Sequence, residues 1–316
     1  MKNLLSVVLA IICVTACKTN VTDVEVGPYT ISVIDENVYH IQDYNSAYPA
    51  GETFDAEGNK THFNNCSDMY LIVGKKEALL IDLSNDIKWV ENAAEPLRQL
   101  VAERIEGKPL TITFTHNHGD HTGMFHAFID NKEIHYAMPE KDFSQLVARF
   151  PDLDYSFIND GHVFDLGGME VQTIEVPGHT DGSVVFSING HDILLTGDAI
   201  GSGHGVWIFN TEAFNKYASA VPHLVSWIED PANGVDVEKL RIYGGHYWQR
   251  DWFPELEGKE MGMSYIHEMQ ALIDEIKAGT AATEPSGLDH PVLDTYFRHG
   301  MAIVVWNAGQ AQQLAQ

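Results

Sequence analysis

Cysteine is scarce in this sequence, with only Cys13, Cys17 and Cys66 present. Two of these lie close to the N-terminus, which leaves Cys66 alone downstream. A disulfide framework is therefore excluded, and Cys66 reads as a buried, inert thiol. Positive charge is also short: 19 Lys and Arg stand against 45 Asp and Glu, a formal net charge of −26. A surface of that sign repels nucleic acid and anionic lipid. It leaves a phosphate-bearing substrate open, because a bound cation reverses the field inside a site. The apolar run at residues 4–14 is too short to span a bilayer comfortably. No fixed-period repeat, no low-complexity segment and no Ser-His-Asp or Cys-His nucleophile arrangement is visible.

What is present describes a globular chain. The apolar content of 44% is ordinary for a packed domain, and 316 residues lie within reach of one large α/β domain. Lys2 and the apolar run have the layout of an export signal. The run ends in Val14-Thr15-Ala16-Cys17, which resembles the lipobox of bacterial lipoproteins. That resemblance implies removal of residues 1–16 and lipid on Cys17. It also implies an exported product, either a membrane-anchored lipoprotein or a periplasmic protein, that meets a membrane only through its anchor. Residues 17–28 then form a polar tether to a domain over 29–316.

Strands and helices alternate through that domain, which favours layered sheets and helices in one unit. Residues 29–41 read as a strand and 43–67 as a long loop. Residues 68–82 read as a hairpin turned at Gly74-Lys75-Lys76. Helical periodicity covers 87–105, with Pro96 marking a kink or the true start. Strands are expected at 110–115, 134–137, 169–176, 183–188, 192–196, 240–243 and 301–306. Helices are expected at 140–150, at 211–228 with a break possible at Pro222, and at 265–276 with Gly279 as the stop.

The sharpest signal is Thr115-His116-Asn117-His118-Gly119-Asp120-His121-Thr122-Gly123, directly after an apolar strand. Imidazole and carboxylate are the ligands that suit zinc and related divalent ions. In a tight loop, His116 and His118 can face one ion while Asp120 and His121 face another. Gly119 and Gly123 let the backbone fold back.

The H-x-H-x-D-H pattern resembles the signature of the metallo-β-lactamase superfamily. Pro177-Gly178-His179-Thr180-Asp181, Leu194-Leu195-Thr196-Gly197-Asp198 and Tyr243-Gly244-Gly245-His246 resemble its later motifs, in family order over about residues 29–250. The resemblance implies an α/β fold of αββα type in a single domain. It assigns His116, His118 and His179 to one metal, Asp120, His121 and His246 to the other, and Asp198 to a bridge. It implies two divalent ions, zinc first and iron or manganese as alternatives. It implies a hydrolase in which a bridging water, its pKa lowered to about 7, attacks the substrate while Asp120 orients it. Asp82 braces the His loop by the same resemblance. Thr115, Thr122, Thr180 and Ser183 are candidates to bond imidazole nitrogens.

Asp198 narrows the reaction. Lactamases of the superfamily typically carry Cys or a non-ligand there, so β-lactam hydrolysis is weakened. Gly201 stands where homoserine lactonases carry Tyr. The expected activity is hydrolysis of an ester, lactone, thioester or amide of a small molecule. A phosphodiesterase is the first alternative, and a mononuclear iron enzyme resembling persulfide dioxygenases is another. No nucleic-acid partner is expected, and the oligomeric state is left open. His204, Trp207 and Tyr247 follow ligands at strand ends and are candidate pocket residues, with Phe209 and Trp248 nearby.

Overall fold

The computed structural model describes residues 24–43, 66–88, 90–203, 205–246, 256 and 259–316, with backbone alone at 53–54 and 60–62. The signal segment, Cys17, most of the tether, His204, Tyr247 and Trp248 lie outside the described residues.

Two sheets face each other. The eight-stranded sheet runs Val24–Val26, Tyr29–Asp35, Val38–Gln42, Asp68–Val73, Ala78–Ile81, Leu110–Thr113, His135–Pro139 and Tyr155–Ile158. It is antiparallel up to Ala78–Ile81 and parallel beyond. The five-stranded sheet runs Val163–Asp165, Glu170–Glu175, Val184–Ile188, Ile193–Gly197 and Arg241–Gly244, its last pair parallel.

Alternating side chains explain the layers. Met69, Leu71, Val73, Ala78 and Leu80 face the helix Ala94–Ile105 and its neighbours. Tyr70, Ile72, Leu79 and Ile81 face the second sheet, where they meet Val171, Phe186, Ile188 and Leu195. On that sheet's far side, Ile174, Val185, Leu194 and Ile242 pack under the helices Thr211–Glu229 and Met263–Ala278. Helix, sheet, sheet, helix is the expected αββα sandwich. Each fully buried aliphatic side chain contributes about 1.5–3 kcal/mol. A four-stranded sheet, Val206–Trp207, Ala302–Trp306, Thr295–His299 and Ala282–Pro285, joins the outer face near the C-terminus.

Several boundaries differ from the expected ones. Residues 24–26, assigned above to the tether, pair with 29–31 as the first arm of a hairpin. Residues 29–41 are two strands, because Asn37 takes a left-handed turn at φ 59°. Within 43–67, residues 53–54 pair with 60–62 in a short ladder. The helix expected from residue 87 begins at Ala94, just after Asn92 at φ 57°, so Pro96 sits in its first turn. Pro222 does not break its helix: Phe214, Tyr217, Val221, Leu224, Val225 and Ile228 bury one continuous stripe across it. That packing outweighs the roughly 3 kcal/mol penalty of an interior proline.

Candidate metal centre

The parallel strand pairs of both sheets end at one edge of the sandwich. Ile81 pairs with Thr113 in one sheet and Gly197 with Gly244 in the other. Chain leaving those ends carries Asp82, His116, Asp198 and His246, and the turn after Glu170–Glu175 adds His179. Two groups of ligating atoms result, His116, His118, His179 and Asp198 in one and Asp120, His121 and His246 in the other. Within each group the atoms lie within 4.8 Å of one another. Asp198 touches both groups: its Oδ2 is 3.5 Å from His179 Nε2 and 3.4 Å from His246 Nε2, and its Oδ1 is 3.4 Å from His121 Nε2. Asp120 Oδ2 lies 3.4 Å from His246 Nε2. Gly245 permits the crowding, since a Cβ there would stand 2.5 Å from Asp198 Oδ1 and 2.7 Å from His121 Cε1.

Hydrogen bonds at the rear of the rings decide which nitrogen faces inward. His179 Nδ1 donates to the Trp207 carbonyl at 3.0 Å, and His246 Nδ1 donates to the Cys66 carbonyl at 2.5 Å. His121 Nδ1 donates to Asp82 at 3.1 Å. Thr115 Oγ1 donates to Asp82 at 2.7 Å and accepts from His116 Nδ1 at 3.0 Å. In all four rings Nε2 therefore faces the site, where an unprotonated imidazole presents its lone pair. His118 instead turns Nδ1 inward, 2.9 Å from His179 Nε2. His116 Nε2 is fully buried and has no hydrogen-bond partner. A buried orphan acceptor among converging lone pairs and carboxylates fits divalent cations, and the nitrogen and oxygen donors suit zinc.

The electrostatics separate the two groups. Burial disfavours the imidazolium at His116 and His179, and His179 is pushed down to about 4. At His121 and His246 the same burial is outweighed by the carboxylates of Asp198 and Asp120, and His246 is pushed up to about 10. Burial would raise Asp198, but His246 and His121 hold it well below the usual carboxylate range. The carboxylates thus attract positive charge to the second group even before an ion is considered.

A family model described as the metallo-beta-lactamase superfamily matches residues 67–233. The chain belongs to this superfamily. Six of the seven superfamily ligand positions fall inside the match, and His246 lies beyond it. The chain is similar to an atrochrysone carboxyl ACP thioesterase of Aspergillus chevalieri, 29% identical over 176 residues, covering 55% of this chain and 53% of that protein. A protein of the same name from Claviceps purpurea is 31% identical over 181 residues, covering 57% and 50%. The chain thus spans about half the length of the curated relatives it matches. Among solved structures, a metallo-beta-lactamase from Pontibacter korlensis superposes with TM-score 0.54 at 17% identity, covering 78% of this chain and 99% of that one. One from Erythrobacter litoralis gives 0.53 at 17%, covering 80% and 99%. At such identities the likeness speaks for the superfamily fold alone.

The structure brings all seven expected ligands together, and Asp82 lies behind them as expected. Thr115 is the one flanking hydroxyl that meets an imidazole. Thr122 bonds the His118 carbonyl, and Thr180 and Ser183 bond each other. Gly123 serves by close approach, since a Cβ there would meet Asp86 N at 2.0 Å. Trp207 contributes its carbonyl to His179, while its half-buried ring packs among Leu256, Leu293 and Val305. Among the described residues, the ring of Phe209 stands beside the ligands, 6.0 Å from His118 and 5.9 Å from His179.

Three supporting residues carry no signal in the sequence. Asp142 accepts from Asn117 N at 3.1 Å, Thr180 Oγ1 at 2.7 Å and Gly182 N at 2.7 Å, tying the first ligand loop to the His179 loop. Fully buried Asp43 accepts from Ser67 N at 2.9 Å, Ser84 Oγ at 3.0 Å and Asn85 Nδ2 at 2.6 Å, and the Ser67 hydroxyl reaches the Asp120 carbonyl. Ser202 donates to Asp198 Oδ1 at 2.8 Å. None of the three lies in a recognisable motif. Asp142 reads only as an acid in a helix's first turn, where the helix dipole welcomes it.

Proposed function

We propose that this chain is a metal-dependent hydrolase that cleaves a thioester of a small or carrier-linked acyl group. The observation that carries the metal-dependent part is the pair of ligand groups sharing Asp198, with the buried His116 Nε2 left without a hydrogen-bond partner. The residues that would hold the ions are His116, His118 and His179 on one side, Asp120, His121 and His246 on the other, and Asp198 between. Bound divalent ions supply Lewis acidity and lower the pKa of water to about 7. The chain's own residues orient and hold. Asp120 is the more exposed of the two carboxylates, 21% against 12% for Asp198, which suits it to orient the water that would attack. Asp82, Cys66 and Trp207 keep the imidazoles turned inward. The choice of a thioester is supported by the names of the fungal relatives.

The test is a rate panel on zinc-loaded protein with acyl thioesters, lactones, simple esters, phosphodiesters and β-lactams. Thioesters are expected to turn over fastest. A panel led by phosphodiesters would replace this reading with the phosphodiesterase one. As part of the same proposal, residues 1–16 are an export signal and Cys17 a lipid anchor, a reading supported by the tetrapeptide Val14-Thr15-Ala16-Cys17.

A further inference from the structure

The loop joining Ala282–Pro285 to Thr295–His299 brings His290 against Phe209, whose ring stands beside His118 and His179. It lies outside the residues matched by the superfamily model. Hydrogen bonds pin its ends: Ser286 N donates to the Asp294 carbonyl at 2.9 Å, and Asn307 Nδ2 and Ala308 N donate to the Asp294 carboxylate at 2.8 and 3.0 Å. Leu288, Val292 and Leu293 of the loop pack in one cluster with Trp207 and Phe209. His290 is thereby held edge-on to Phe209, ring centroids 6.0 Å apart, and it remains exposed. Val292 N donates to His290 Nδ1 at 3.4 Å, so the neutral ring carries its proton on Nε2, as a donor. Phe209 is half-buried and stands about equally far from His118 and His179.

We infer that Phe209 and His290 form a substrate-selecting wall beside His118 and His179, shaped for a flat, apolar acyl group with a hydrogen-bond acceptor on its far side. Phe209 offers ring surface next to the reacting bond. His290 offers one donor farther out, on a loop rigid enough to discriminate. The inference rests on the thioesterase reading and adds the class of acyl group.

The experiment compares three N-acetylcysteamine thioesters, acetyl, 2-naphthoyl and 6-methoxy-2-naphthoyl, on zinc-loaded wild type, Phe209→Leu, His290→Ala and His290→Gln. Wild type is expected to prefer naphthoyl over acetyl in kcat/KM, and Phe209→Leu to cut that preference about 3- to 10-fold. His290→Ala should remove the advantage of the methoxy oxygen, on the order of 3- to 10-fold and mainly through KM. His290→Gln, which keeps a donor, should retain most of it. Zinc content should be unchanged throughout. Equal losses on all three substrates would mean a structural role and overturn the inference, as would no loss at all in His290→Ala, an exposed position where folding is not at stake. Failure of zinc-loaded wild type to cleave any thioester would instead bring down the thioesterase reading, and the inference with it.

Discussion

Asp43 and Asp120 are joined through Ser67, although they lie far apart in the chain. Asp43 holds the segment that also presents the Cys66 carbonyl to His246, so its charge and shape position the second ligand group. Asp43→Asn should weaken the ion on the Asp120, His121 and His246 side by about 10- to 100-fold and leave the other side nearly unchanged. Competition with a chelator resolves the two affinities, and equal weakening at both would contradict the link. Asp120→Asn keeps the side chain's shape but removes its charge, and turnover should fall about 100-fold or more. Near-normal turnover at normal metal content would remove Asp120 from the role given to it. Four of the seven candidate ligands were legible because core packing does not produce imidazoles and carboxylates at such density in one loop, and His179, Asp198 and His246 were legible through the resemblance of their motifs to those of the superfamily. Asp43 and Asp142 were not, because a single acid beside a loop or in a helix's first turn looks like ordinary surface until the partner loops are placed around it. Phe209 stood out together with Trp207, but only the fold shows which of the two rings stands beside the ligands.

At the scale of elements, the strands carrying ligands were read nearly to their ends, because runs such as Leu79-Leu80-Ile81 and Leu194-Leu195 are buried on both faces. The strands missed include Val24–Val26, Thr53–Phe54, Lys60–His62, Tyr155–Ile158, Val206–Trp207, Ala282–Pro285 and Thr295–His299. Most are only two to four residues long and several lie at sheet edges, where little apolar pattern accumulates. The C-terminal elements nevertheless lock the outer layer. Trp306 is fully buried and stacks on Phe214 of the long helix, with ring centroids 4.6 Å apart and planes within 8°. Trp306→Ala should cost about 3–5 kcal/mol of stability, read as a lowered denaturant midpoint. A loss under about 1 kcal/mol would mean that the C-terminal sheet is not an integral part of the fold.

At the scale of the whole molecule, a net charge of −26 surrounds a centre suited to cations. That arrangement concentrates divalent ions near the site and repels polyanions. The expected anchor belongs to this scale as well. Cys17→Ser should move the full-length protein from the membrane to the soluble fraction, since each buried lipid CH₂ contributes about 0.8 kcal/mol. A wild type already soluble when expressed with its own N-terminus would contradict the lipobox reading. The central claim is that the seven side chains form one centre for two divalent ions joined by Asp198. The most direct test is the zinc stoichiometry of purified wild type and Asp198→Ala, measured by elemental analysis after loading and dialysis. The account predicts about two zinc ions per wild-type chain and weakened retention at both positions in the variant. One tightly held ion with no second site, or full retention by Asp198→Ala, would contradict it.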